Sequence, residues 1–408
     1  MRLFSLRCFA VFLSVLPYAL AQIPQRSTPQ TAPIALIGAT IHIGDGSTVI
    51  EDGTIIFDKG LITAIGKRSD VSVPAGTKSI QAVGKHIYPG FIASNSILGL
   101  SEIQAVRSTN DFEETGGENP HARALVAYNT DSHIIPTIRF NGVLSALTVP
   151  QGGMVAGTSS LMALDGWNWE DAVIAPDVAM HITWTMVPRL KSLFADAKSY
   201  ISTPQEKKNL KLEAMRGVLA GTRKLVIEAD DAKAILQAIA FTKEYGITPI
   251  ILGGAESWLI ADDIKKAGVA VILRKTHRLP YRTGDAADQP FRVPAQLYQA
   301  GVQFCLGSNG SWQQRNLPFE AGTAVAHGLT KEQALCAITL NVAKIFGVAK
   351  TMGSLELGKD ATLFISTGDA LDMLGNNVEY AFIRGRTVDL MNKQKFLYDQ
   401  YIKKYQRN

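Results

Sequence analysis

Between residues 224 and 308 the chain alternates short, continuously apolar segments with helical patterns, and this alternation restricts the fold more than any other feature. KLVIEA (224–229), TPIILGG (248–254), VAVILR (269–274) and VQFCLGS (302–308) are separated by helix signals near 231–245, 256–267 and 294–300. A strand that is apolar at every position has to be covered on both faces, so helices lie over it and its neighbours run parallel. A repeated strand-helix unit of this kind makes a parallel sheet or barrel. With 46% hydrophobic and 19% charged residues over 408 positions, the chain has the apolar material for that core, which excludes disorder and collagen-like repeats.

On either side the pattern changes to short strands rich in Ile, Val and Thr, broken by glycines: IALIGATIHIGDG and TIIFDKGLITAIG before the series, GSLELGKDATLFIS and VEYAFIRGRTVDL after it. These read as antiparallel strands. Both chain ends are therefore expected to build one small β-sandwich, residues 33–87 plus 353–390, with a barrel of residues 88–352 inserted between them. The helix from Lys331 to Phe346 carries the strongest boundary signals, with Thr330 as N-cap, Gln333 as its capping-box partner and Gly347 at the stop.

The first residues read as a leader. Arg2 and Arg7 form a basic region, Cys8 to Leu16 an apolar one, and Ala19-Leu20-Ala21 a small-x-small site, so cleavage is expected after Ala21. The apolar run is too short to span a bilayer. Residues 22–32 follow as a polar linker, and the mature protein is expected to be exported, periplasmic or secreted. Cleavage removes two arginines and no acid, so the formal charge of +5 becomes +3. That balance carries no nucleic-acid footprint. Of the three cysteines, Cys305 and Cys336 stay in the mature chain, and both lie on apolar faces as expected of buried thiols. Residues 391–408 carry Lys393, Lys395, Lys403, Lys404 and Arg407 against Asp399, with Tyr398, Tyr401, Ile402 and Tyr405 at helical spacing. They predict an amphipathic tail helix docked on the body with a solvated basic face; binding to an anionic surface is the alternative.

The segments IALIGATIHIGDG, DGTIIFDKGLITAIG, HIYPGFIASNS, GSLELGKDATLFI and AFIRGRTVD, in this order, resemble the amidohydrolase superfamily in its imidazolonepropionase-like branch. The resemblance covers residues 33 to about 390. It implies a (β/α)8 TIM-type barrel with a composite β-sandwich, one or two divalent metals such as zinc, and hydrolysis of amide or cyclic amide bonds. In such a site the metal lowers the pKa of water from 15.7 to about 7, and a carboxylate moves the proton.

The ligand positions that the resemblance implies are filled differently here. Pro89-Gly90-Phe91-Ile92 leads into Ala93-Ser94-Asn95-Ser96-Ile97, so Asn95 and Ile97 stand where two histidines are expected and Ala93 where an aspartate is. Glu228 ends KLVIEA, Gly253 and Gly254 end TPIILGG, and Leu306-Gly307-Ser308-Asn309 places an asparagine at the final acid. The seven histidines, His42, His86, His121, His133, His181, His277 and His327, show neither His-x-His nor His-Glu-x-x-His spacing. No metal ligand and no cofactor are therefore expected. Glu228, His277 and Asn309 are the candidate catalytic residues, and Asn95, Gln151 and Gly152 the candidate substrate contacts. The glycine-rich stretch from Pro150 to Ser160 reads as a turn before a buried aromatic pair, Trp167 and Trp169, or as a lid at the barrel mouth. Two functions fit: a hydrolase of non-peptide carbon–nitrogen bonds with an unconventional or lost metal site, or a non-catalytic ligand-binding protein or partner subunit of an intact amidohydrolase. The expected partner is a small-molecule ligand or substrate, with no nucleic acid and no membrane span.

Overall fold

In a computed structural model of the protein, residues 26–204 and 206–405 are described, so the leader expected at residues 1–21 lies outside them. The first five strands are β1 (Ile34–His42), β2 (Val49–Asp58), β3 (Leu61–Lys67), β4 (Lys78–Gln81) and β5 (His86–Pro89). Eight follow: β6 (Phe91–Ser96), β7 (Val143–Thr148), β8 (Val155–Ala163), β9 (Val173–Thr183), β10 (Lys224–Ala229), β11 (Ile250–Gly253), β12 (Ala270–Leu273) and β13 (Phe304–Leu306). The last are β14 (Leu363–Ser366), β15 (Val378–Ile383) and β16 (Arg386–Thr387).

Both chain ends share one eight-stranded sheet, ordered β16-β15-β14-β5-β1-β2-β3 with β4 also on β1. The expected sandwich thus takes the form of one continuous sheet rather than two separate ones. Phe57 on β2 and Phe382 on β15 lie four strand spacings apart along it, roughly 19 Å if it were flat. Their ring centroids are 5.0 Å apart, so the sheet is rolled onto itself. Leu36, Ile41, Ile55, Ile87, Leu363 and Ile365 fill the roll. Each contributes about 1.5–3 kcal/mol by leaving water.

The second sheet is a TIM-type barrel of eight strands, ordered β13-β12-β11-β10-β9-β8-β7-β6. β9 to β13 are mutually parallel and β6 is parallel to β7, but β8 runs antiparallel to both its neighbours. A hairpin, not a helix, therefore joins β7 to β8 and places residues 149–154 at the C-terminal mouth. Side chains tie the seam between β13 and β6. Ser94 Oγ donates to the Leu306 carbonyl at 3.0 Å, and Gln314 Nε2 donates to the carbonyls of Asn95 and Ser308 at 2.9 and 2.7 Å.

The Thr330–Gln333 capping box forms as expected, but the helix it starts is two, Lys331–Ala337 and Leu340–Ile345. The break has a cause in the barrel: the Ile338 carbonyl turns outward to accept from Ile92 N–H of β6 at 2.9 Å. Cys305 and Cys336 are free and buried. The tail forms the helix Lys393–Tyr405, yet none of its residues is buried. It touches the body through Gln394, which accepts from Thr137 Oγ1 at 2.9 Å, and through Lys395 over the Phe140 ring. Its tyrosines stay in solvent, so they do not dock it as an amphipathic face would. Among the described residues, no helix is long and apolar enough to cross a membrane.

Candidate functional site

The C-terminal ends of the barrel strands surround a cavity of about 240 Å³. This is the end of a TIM-type barrel where side chains from several strands and loops converge. Asn95 reaches it from β6, Glu228 from β10 and Asn309 from just beyond β13, while Gln151 and Gly152 line it from the β7–β8 hairpin. Five of the six residues singled out in the sequence thus meet here. Gly152 (φ +90°) and Gly153 (φ +64°) are required by close approach. A Cβ on Gly152 would come within 2.5 Å of the Glu113 side chain, and one on Gly153 within 2.7 Å of the Gly117 carbonyl. The polar loop that follows β6 packs tightly on the hairpin, but Glu102, Arg107, Asp111, Glu113 and Glu114 do not line the cavity.

The structure does not bring His277 to this cavity. It is exposed, its Nε2 bonds Thr323 Oγ1 at 2.6 Å, and it faces a different concavity beside the helix Leu317–Ala326. Ile97 turns away as well, into a small apolar cluster with Leu100 and Ala124. Gly253 (φ +109°) leaves room for Asp230, whose Oδ1 would lie 2.5 Å from a Cβ there. Trp167 is 70% exposed, so the expected buried aromatic pair does not form.

Two titratable side chains in the cavity wall are not among the residues singled out in the sequence, Arg274 and His181. Arg274 directly follows β12, and a charge at the end of a continuously apolar strand is a signal that points to the mouth. It ion-pairs with Glu228 and lies 3.6 Å from Asp230. His181, on β9, is buried, and its Nε2 bonds Ser159 Oγ at 2.8 Å. Burial pushes its pKa down to about 3, so the imidazole is neutral across the physiological range. A lone histidine in an apolar strand carries no spacing signal. Asn95 Nδ2 donates to Asn309 Oδ1 at 2.9 Å, so the two amides are engaged with each other. Among the described residues, no group of three or more His, Cys, Asp and Glu side chains is disposed to hold a metal ion.

The mouth can therefore present neutral amide donors and acceptors, a guanidinium and a carboxylate that already hold each other, and a neutral imidazole. Residues 197–388 match the amidohydrolase family. Amidohydrolase tasK of Hapsidospora irregularis is 24% identical over 82% of this chain, which spans 41% of that protein's length. An imidazolonepropionase of Porphyromonas gingivalis is 25% identical over 85% of this chain and 92% of its own. A crystal structure of an amidohydrolase from Thermotoga maritima has the same fold, with a TM-score of 0.78 at 23% identity, over 87% of this chain and 99% of that one.

Proposed function

Since the chain belongs to the amidohydrolase superfamily, among its imidazolonepropionase-like members, we propose that its barrel mouth binds a small polar molecule and works without a resident divalent metal. The observation that carries this reading is the Arg274–Glu228 ion pair. Glu228 is the one carboxylate among the side chains that converge with Asn95 and Asn309, and a guanidinium already neutralises it. Zinc takes thiolate, imidazole or carboxylate ligands, commonly three from the protein plus water. Calcium and magnesium want more anionic oxygen than two neutral amides and one shared carboxylate supply. These residues do not fit such an ion. Without it, water stays about eight to nine pKa units from hydroxide at neutral pH, on the order of 12 kcal/mol. His181 with its pKa near 3 is too weak a base to recover that.

A second reading, hydrolysis of an amide or cyclic amide at an unconventional site, is favoured by the convergence of Asn95, Glu228 and Asn309 in one cavity. Amide N–H groups aimed at a developing oxyanion stabilise it without metal. One experiment separates the readings: elemental analysis of the purified full chain, native mass spectrometry, and a hydrolysis screen of small amides with and without zinc. Metal-free protein carrying a bound small molecule supports the first. Metal-free turnover that Glu228→Gln abolishes supports the second, and stoichiometric zinc or manganese with metal-dependent turnover overturns both. Export belongs to the same proposal, supported by the residue pattern of positions 1–21. N-terminal sequencing of the processed protein should begin at Gln22.

A further inference from the structure

Beside the first cavity lies a second of about 200 Å³, and Arg274 and Asn309 line both. Its other wall belongs to the irregular segment 274–288, which contributes Lys275, Arg278 and Tyr281. Three cations thus face this space against one carboxylate, Asp230, which Arg274 already approaches. Arg278 is half-buried, donates from Nη1 to the Leu279 carbonyl at 3.1 Å, and has no carboxylate within ion-pairing distance among the described residues. Partial burial lowers its pKa although Asp230 and Asp285 pull it upward, as expected of a guanidinium whose counter-charge is incomplete. The segment is held in place from both sides. Thr276 is bonded by Glu320, and Arg282 pairs with Glu256, which is 2% exposed.

We propose that this second cavity binds an anionic group, carboxylate or phosphoryl, of a ligand whose uncharged amide-like part lies in the first, against the hydrogen-bonded Asn95–Asn309 pair. The inference rests on the reading of the barrel mouth as a ligand site. The two cavities adjoin at Arg274 and Asn309, so one small molecule reaches both. A guanidinium pairs with either oxyanion through two parallel N–H donors, and Arg278 has donors to spare. Lys275 adds charge at the exposed rim, where it steers more than it binds.

The test is calorimetric titration of the full chain with succinamide, succinamate and carbamoylmethylphosphonate, which share an amide and differ in charge. At least one anionic probe should bind about tenfold tighter than succinamide, as one charge-assisted pair provides. The tighter of the two identifies the oxyanion. Arg278→Met should erase that advantage while leaving succinamide within about twofold, and Arg278→Lys should keep part of it. Equal binding of neutral and anionic probes, or an advantage that survives Arg278→Met, overturns the inference. Succinamide binding that Asn95→Ala abolishes, without any anion advantage, overturns the inference but leaves the barrel-mouth reading standing. Absence of binding by all three probes overturns both.

Discussion

Glu320 should make the protein lose stability as the pH rises towards neutrality. It lies on the helix Leu317–Ala326, 3% exposed, and its carboxylate accepts from the backbone N–H and hydroxyl of Thr276. Burial pushes its pKa up from the ordinary 4.5 to about 7, and the two bonds from Thr276 only partly offset this. Between pH 4.5 and 7 the unfolded chain has released this proton while the folded one still holds it. Stability from this group is therefore complete below pH 4.5 and lost as the pH rises through 7, by about 3 kcal/mol. For a chain of this size that corresponds to roughly 4 °C in Tm. His181 opposes it over part of the same window, because its depressed pKa makes folding gain as the pH rises to 6.5. The wild-type curve therefore mixes two effects, and the informative quantity is the difference from Glu320→Gln, which keeps an oxygen for Thr276 but cannot titrate. Thermal unfolding of both proteins at half-unit steps from pH 4.5 to 8 should show wild type losing about 3 kcal/mol relative to the variant. A difference flat to within about 0.5 kcal/mol would refute the reasoning.

Acid should expose the opposite group. His181→Asn should lose far less stability than wild type between pH 6.5 and 3, by on the order of 5 kcal/mol, in chemical denaturation at each pH. The Arg139–Asp165 pair is 3% and 1% exposed, so Arg139→Met should cost about 3 kcal/mol by leaving the buried Asp165 with only the more distant Arg386, at 4.0 Å. Arg139→Met with Asp165→Leu should cost clearly less; equal losses would mean that packing, not charge, decides. Asn95→His, Ile97→His and Asn309→Asp together should not give zinc-dependent turnover, because position 97 points into the Leu100 cluster and Arg274 still holds Glu228. Turnover that follows added zinc would show otherwise.

The barrel strands with continuously apolar centres, the Leu-Val-Ile of KLVIEA and the Ala-Val-Ile-Leu of VAVILR among them, were legible because only a doubly covered strand tolerates that pattern. The mouth residues at their ends could be placed for the same reason, since strand ends converge in a barrel. β8 was not legible. VAGTSSLMA reads as a loop on its Gly, Thr and Ser, yet all nine residues are buried. Its small side chains admit a second backbone: Gly157 (φ +125°) lies so close to the Ala122 carbonyl that a Cβ would meet it at 2.5 Å. Propensity carries no information about such tertiary crowding. Likewise nothing local to Arg274 announces Glu228 as its partner, 46 positions earlier and on another strand, and nothing local to His277 turns it towards Thr323.

The rolled sheet has a consequence for how the molecule comes to exist. β5 finds its partner β14 274 to 280 residues later in the chain, from Pro89 with Leu363 to His86 with Ser366, and β15 and β16 only add to that edge. Until the C-terminal strands arrive, β5 offers open N–H and C=O groups flanked by Ile87 and Tyr88, an invitation to pair with another copy. Closing so long a loop is slow, though its entropic penalty grows only logarithmically with length. A chain truncated before β14 should therefore aggregate rather than yield a free barrel, and the last strands act as a latch on assembly. Light scattering of the truncated chain during refolding, rising where the full chain stays clear, would register that latch.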